Sequence, residues 1–171
     1  DAMLHSPELR YVDPAHRIYW KHSDYQKRSG SLDATTAFLA RFVRAMSDAG
    51  VPLITGTDAP TIPGLAPGYA LHDDLDALQR AGLTRYQALA AATRTPGEMM
   101  HRAQPDAVPF GTVAVGQRAD LVLSAGNPLE DLATLRQPLG VMASGRWYAR
   151  SELQALLDDV ATTYADAVAP R

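Results

Sequence analysis

Apolar and polar positions alternate with a helical period between residues 33 and 49, where Phe38, Leu39, Phe42, Val43 and Met46 recur on one side. Gly50 stands where a helix ends on a left-handed residue, so the pattern predicts a helix from Asp33 or Thr35 to Ala49. Directly after it, Val51 to Thr55 is a short, partly β-branched apolar run closed by Gly56, which is the pattern of a strand buried on both faces of a parallel sheet. Helix, glycine and strand together form the repeat unit of an α/β fold.

The opening stretch, residues 1–30, mixes Pro7, Pro14, three histidines and several tyrosines without a sustained period. It reads as a loop with one short helix near Ala15 to Trp20, and its aromatic content argues for packing against the body. Thr55, Gly56, Thr57, Asp58 and Ala59 lead into a stiff loop carrying Pro60, Pro63, Gly64, Pro67 and Gly68. Three short helices are then expected. His72 to Arg80 stops at Gly82, Thr84 caps a second helix running through Leu89 to Ala92, and Thr95, Pro96, Gly97 and Glu98 match a capping box that opens a third. Further on, Gly111, Val113, Val115 and Ala119 to Leu123 read as β-rich, ending in a turn at Gly126, Asn127 and Pro128. Val141 to Ala143, Ser144-Gly145 and Arg146 to Tyr148 read as a hairpin with a two-residue turn. Ser151 to Val168 is a final amphipathic helix carrying Leu153, Leu156, Leu157, Val160 and Tyr164, and no internal repeat or low-complexity tract occurs.

Composition narrows the classes. A chain of 171 residues with 46% hydrophobic side chains has the material for a core. A net charge of -3, from 16 basic and 19 acidic residues, offers no attraction to nucleic acid or anionic lipid. No apolar run approaches the roughly 18 residues that span a bilayer, and the start has no leader pattern, so the chain reads as soluble and as beginning inside a longer polypeptide; the compartment stays open, the cytoplasm slightly favoured. Without cysteine there is no thiolate nucleophile or ligand, and any metal must be held by His, Asp, Glu or a modified Lys. A glycine-rich phosphate loop, a Gly-x-Ser-x-Gly elbow and a His-Glu-x-x-His helix are all absent. The histidines at 5, 16, 22, 72 and 101 form neither a His-x-His pair nor an i, i+4 pair.

Several motifs in order resemble the C-terminal part of the amidohydrolase superfamily, in its imidazolonepropionase-like and dipeptidase-like branches. They are Thr55-Gly56-Thr57-Asp58-Ala59, Pro67-Gly68 with Leu71-His72-Asp73-Asp74-Leu75, Ala81-Gly82-Leu83-Thr84 with Ala88-Leu89 and Ala91-Ala92-Thr93, and Gly116-Gln117-Arg118-Ala119-Asp120-Leu121-Val122-Leu123. The likeness continues through Asn127-Pro128-Leu129 and Gly140-Val141-Met142 to Gly145-Arg146-Trp147, so it covers roughly Gly50 to Tyr148. It implies an α/β chain, mostly helical with few strands. Residues 1–104 would be the end of a metal-dependent (β/α)8 barrel with Val51 to Thr55 as its eighth strand, 105–150 part of a small β-sandwich, and 151–171 a C-terminal helix.

By that resemblance Asp58 is the catalytic aspartate that approaches a divalent metal, zinc in the parent enzyme, and shuttles a proton from the attacking water to the departing nitrogen. The competing reading has it capping the next turn. His72 is a candidate substrate contact, against a surface or capping histidine, and Thr55 and Thr57 are candidates for orienting Asp58, against plain β-branched strand residues. Trp147 and Tyr148 are expected in a core, Asp120 on turn backbone, and Lys21, Lys27 and Arg28 on a solvated face.

The family's His-x-His pair, its bridging lysine or glutamate and its two later histidines have no equivalent here, so no cofactor is expected for this chain alone. The reading is therefore the C-terminal portion of an enzyme cleaving a C-N bond in a small amide, cyclic amide or dipeptide, completed by a missing N-terminal barrel half. The alternatives are a non-catalytic remnant serving as a binding or assembly module, and an adaptor presenting the last helix.

Overall fold

A computed structural model of the chain describes residues 6–27 and 30–166. His5, Arg28 and the predicted helix end at Val168 lie outside the described residues. Among the described residues the order is α1 (Pro14–His22), α2 (Asp33–Asp48), α3 (Tyr69–Arg80), α4 (Arg85–Ala92), α5 (Arg94–Ala103), β1 (Leu121–Leu123), β2 (Gly140–Ala143), β3 (Arg146–Ala149) and α6 (Arg150–Asp166). Short 3-10 turns at Pro7–Tyr11, Asp24–Lys27 and Leu132–Arg136 punctuate it. The protein is thus mostly helical with one small antiparallel sheet, in the strand order β1, β2, β3.

Most helix boundaries follow from local chemistry. Asp13 caps α1 by accepting the Ala15 N–H at 2.6 Å, and Pro14 sits at the first position, where a missing donor costs no hydrogen bond. Thr84 and Gln87 form a reciprocal capping box on α4, with Thr84 N–H donating to Gln87 at 2.8 Å and Gln87 N–H donating to the Thr84 hydroxyl at 3.2 Å. The box expected at Thr95 and Glu98 does not form. α5 begins at Arg94, directly after α4, and the Thr93 hydroxyl donates back to the Leu89 carbonyl at 2.7 Å. Thr95 therefore lies inside the helix and Glu98 pairs with Arg94 at 3.4 Å, while Pro96 still falls in the first turn, whose N–H groups have no intrahelical acceptor.

The hairpin forms as its sequence predicts. Ala143 pairs with Arg146, and Ser144 and Gly145 carry φ of 50° and 81°, the two left-handed residues of a type I′ turn. Asp120 accepts the Ser144 N–H at 2.7 Å and the Ala119 carbonyl accepts the Gly145 N–H at 3.0 Å, so the turn is pinned to the chain entering β1. The Ser144 N–H, followed by the Arg118 guanidinium, holds the Asp120 carboxyl below its ordinary range.

Two expectations about the β region are corrected. Val113 and Val115 are exposed and unpaired, because the only sheet among the described residues contains β1 to β3. Trp147 is 42% exposed and lies across Gly140, where a Cβ would stand 2.1 Å from the indole; with no second sheet against that face, it is not enclosed. Tyr148 is half-buried, beneath the Arg146 guanidinium at 4.5 Å.

A third correction concerns Val51 to Thr55, which pairs with no strand among the described residues. A strand exists by virtue of its neighbours, and among the described residues this run's backbone reaches a distant segment at one point, from Thr55 N–H to the Ala91 carbonyl at 3.0 Å, besides the local bond from Val51 N–H to the Met46 carbonyl.

The core consists of two small clusters. Leu9, Val12, Trp20 and Ala66 pack with Tyr69, joining the N-terminal segment to the loop before α3. Leu75, Ala88 and Leu132 pack with Leu78, Leu89, Ala92 and Leu135, joining α3, α4 and the third 3-10 turn. α2 contributes no buried residue; its Arg44 donates to the Gly82 carbonyl, whereas Phe38, Leu39 and Phe42 are exposed. The chain leaves 11743 Å² accessible, against roughly 8,200 Å² for a folded monomer of its 18.4 kDa mass. No helix among the described residues is long and apolar enough to cross a membrane.

Residues 110 and 111 interlock with the start of α5. A Cβ on Gly97 would stand 2.0 Å from the Phe110 carbonyl oxygen, whereas one on Gly56 would meet nothing within 4 Å. Gly97→Ala is expected to cost about 1–3 kcal/mol in urea unfolding, and Gly56→Ala much less. Equal losses would contradict the close approach.

Candidate functional site

Residues 55 to 61 are tied down at three points. Thr55 donates its N–H to Ala91 on α4, Gly56 donates its N–H to the Asp74 carboxylate of α3 at 3.0 Å, and the Pro60 carbonyl accepts the Trp20 indole N–H at 2.9 Å. Between the last two ties the chain turns: Asp58 has φ of 52° and its carbonyl accepts the Thr61 N–H at 2.7 Å. Aspartate is among the side chains that tolerate this left-handed conformation. The Asp58 carboxylate is exposed and makes no hydrogen bond or ion pair among the described residues, so it is open to a molecule from outside. The Thr57 hydroxyl accepts the Ala59 N–H at 3.2 Å and thus supports the turn through backbone, while the role of Thr55 is carried by its own N–H.

His72 sits in the first turn of α3 with its neighbours on one side. Arg136 donates to Asp76 at 2.9 Å and to Asp73 at 3.3 Å, joining the third 3-10 turn to α3 around the imidazole. Burial, then the Arg136 cation, push the His72 pKa down, partly opposed by Asp73 and Asp76. Two residues along a helix are about 200° apart, so His72 and Asp74 project from opposite sides of α3. No hydrogen bond or ion pair joins His72 to Asp58.

Asp74 is a residue that the sequence does not single out. It stands there only inside the Leu71-His72-Asp73-Asp74-Leu75 motif, because its partner, Gly56, is 18 residues away and backbone N–H groups carry no sequence signature. Burial raises the Asp74 pKa; the Gly56 hydrogen bond opposes that rise and the neighbouring Asp73 adds to it.

No three His, Asp or Glu side chains gather around a point among the described residues. Asp58 could offer one oxygen to a divalent metal, but a catalytic site needs about three protein ligands, so these residues do not fit a resident metal by themselves. Two shallow concavities, of about 340 and 410 Å³, are lined by Arg41, Arg44 and Arg80 and by Leu83, Tyr86 and Leu129; neither includes Asp58.

No protein-family model and no curated protein sequence matches the chain. Solved structures do. Bottromycin amidohydrolase is 25% identical, with 95% of this chain and 36% of that one aligned at a TM-score of 0.70. A crystal structure of another amidohydrolase is 25% identical over 64% of this chain and 25% of its own, at 0.51. Molinate hydrolase, at 24% identity over 82% of this chain and 31% of its own, shares the fold at 0.54. The chain therefore spans between a quarter and just over a third of the length of these structures, and it is related over that part to the amidohydrolase superfamily.

The surroundings of His72 make a titration prediction. Its pKa is depressed in the folded state, so its contribution to stability is intact above the ordinary value of 6.5 and is lost as pH falls through the lower folded value. Arg136→Gln removes the cation and leaves Asp73 and Asp76 to favour the imidazolium, so the His72 pKa should rise. Imidazole NMR shifts followed against pH report both; a wild-type pKa at or above 6.5 would refute the assignment.

Proposed function

We propose that this relative of the amidohydrolases supplies the C-terminal portion of a metal-dependent hydrolase acting on a C-N bond of a small amide, cyclic amide or dipeptide-like substrate. The observation that carries the reading is Asp58: an exposed carboxylate without a partner among the described residues, in a left-handed turn held from both sides, within the Thr55-Gly56-Thr57-Asp58-Ala59 motif. A general base needs that combination of fixed backbone and free oxygen atoms. Asp58 would accept the proton of the attacking water and return it to the leaving nitrogen.

His72, in the first turn of α3, would contact substrate from the helix start, and a neutral imidazole can either donate or accept there. Thr57 would hold the turn through the Ala59 N–H. The metal, zinc by family analogy, would take its remaining ligands from a barrel segment outside the 171 residues. The exposed Phe38, Leu39 and Phe42 of α2, with the unpaired Val51 to Thr55 run, support such a partner, since an apolar helix stripe beside an unpaired strand-like segment suits a neighbouring parallel βα unit.

The test compares residues 1–171 alone with a longer product that adds a barrel segment bearing a His-x-His pair, using N-acyl amino acids, Xaa-Pro dipeptides and cyclic amides. The longer protein is expected to bind metal and turn over at least one of these classes, with Asp58→Asn lowering kcat by about 10²–10⁴-fold. Hydrolysis by the longer protein that survives Asp58→Asn would sink the assignment. A folded but inert longer protein would instead favour an assembly module.

A further inference from the structure

We propose that Asp74 is the positioning residue of this site, its carboxylate clamping the Gly56 N–H so that, together with the Trp20 tie on Pro60, it fixes the turn that presents Asp58. The proposal rests on the reading of Asp58 as the general base.

The geometry is unusual for an aspartate in mid-helix. Asp74 lies in the second turn of α3, beyond the reach of a capping role, and its side chain leaves the helix to accept a hydrogen bond at 3.0 Å from a backbone amide 18 residues earlier. That amide is two residues before Asp58, and the Trp20 bond falls two residues after it, at Pro60. Asp58 is thus the midpoint of a short span held at both ends by side chains from different helices, α3 and α1. The two ties differ in setting. Trp20 is 1% exposed and belongs to a core cluster, whereas Gly56 is exposed and has open space around its Cα. Losing the Trp20 tie disturbs the core; losing the Asp74 tie releases only the turn, because water can take over the Gly56 N–H. This arrangement also accounts for a partly buried acidic side chain on the α3 flank opposite the Arg136 cluster, where no cation among the described residues pairs with it.

The experiment reads amide hydrogen exchange by NMR in the 171-residue chain and in its Asp74→Ala and Asp74→Asn variants. Asp74→Ala is expected to speed exchange at Gly56, Thr57 and Asp58 by about tenfold, with the Trp20 indole N–H and the α3 amides unchanged. Asp74→Asn, whose side-chain carbonyl still accepts, should restore most of the protection. Unchanged exchange at Gly56 in the alanine variant, or an equal rise throughout α3, would overturn the clamp. A coupling across the hydrogen bond between the Gly56 nitrogen and the Asp74 carboxyl carbon, sought in the unmodified chain, is a second measurement that no folding defect can obscure; its absence overturns the proposal.

In a hydrolytically active longer protein, Asp74→Ala should lower kcat with KM unchanged and Asp74→Asn should rescue it. An unchanged kcat there rejects Asp74 as a positioning residue. Absence of hydrolysis in every form rejects the general-base reading instead, while the exchange result on the clamp stands by itself.

Discussion

Trp20 donates its indole N–H to the Pro60 carbonyl from a site that is 1% exposed, and much of the N-terminal half is organised around that contact. An indole buried without a partner would leave a polar group unsatisfied, so the ring must sit where a carbonyl awaits it. The carbonyl belongs to the loop that follows Asp58. Leu9, Val12 and Ala66 fill the space around the ring, and Tyr11, at the end of the first 3-10 turn, stacks on Tyr69 at 5.7 Å, which ties that turn to the start of α3. A segment that reads as an irregular opening stretch is therefore the support of the candidate catalytic turn.

The second organising fact is a surplus of apolar surface. The two core clusters are small, α2 fully buries no residue, and the strand-like run after it has no ladder among the described residues. These features share a cause. The α2 stripe and Val51 to Thr55 have the patterning of an α/β repeat, and such a repeat buries its apolar residues only between parallel neighbours on either side. Polar contacts from the opposite edge of α2 hold it in place: Arg44 reaches the Gly82 carbonyl, and Ser47 accepts from Gln87 at 3.2 Å. The amidohydrolase structures that the chain resembles align with it over a quarter to just over a third of their own length.

The β region is built on different logic. Its hairpin is specified locally by two left-handed residues and then fastened by Asp120, which reaches the turn from the chain entering β1. Arg150 continues the theme at the start of α6 by donating to the Gln137 and Pro138 carbonyls at 2.7 and 3.0 Å. These side chains add loop-backbone contacts to the β1–β2–β3 ladder and the packing of α6, where the sheet among the described residues has one layer and leaves Trp147 partly in solvent.

What the sequence determined by itself was local. The positions of α2, α4 and the hairpin followed from period, caps and turn residues, because each depends on atoms a few residues apart, whereas α1 was expected near Ala15 to Trp20 without a sustained period and its Asp13 cap was not singled out. Asp58 was legible as a candidate through its motif at the end of an apolar run. The tertiary structure decided what depends on partners far along the chain: that Val51 to Thr55 forms no strand, that α5 starts at Arg94 without the Thr95 box, and that Trp147 is not enclosed. It also brought Asp74 to Gly56, Trp20 to Pro60 and Arg136 to Asp76 and Asp73, pairings between groups 18, 40, 60 and 63 residues apart. Periodicity registers which face of an element is apolar, and caps register where it begins. Neither encodes which distant carbonyl or amide a polar side chain will meet, since that depends on how the elements pack.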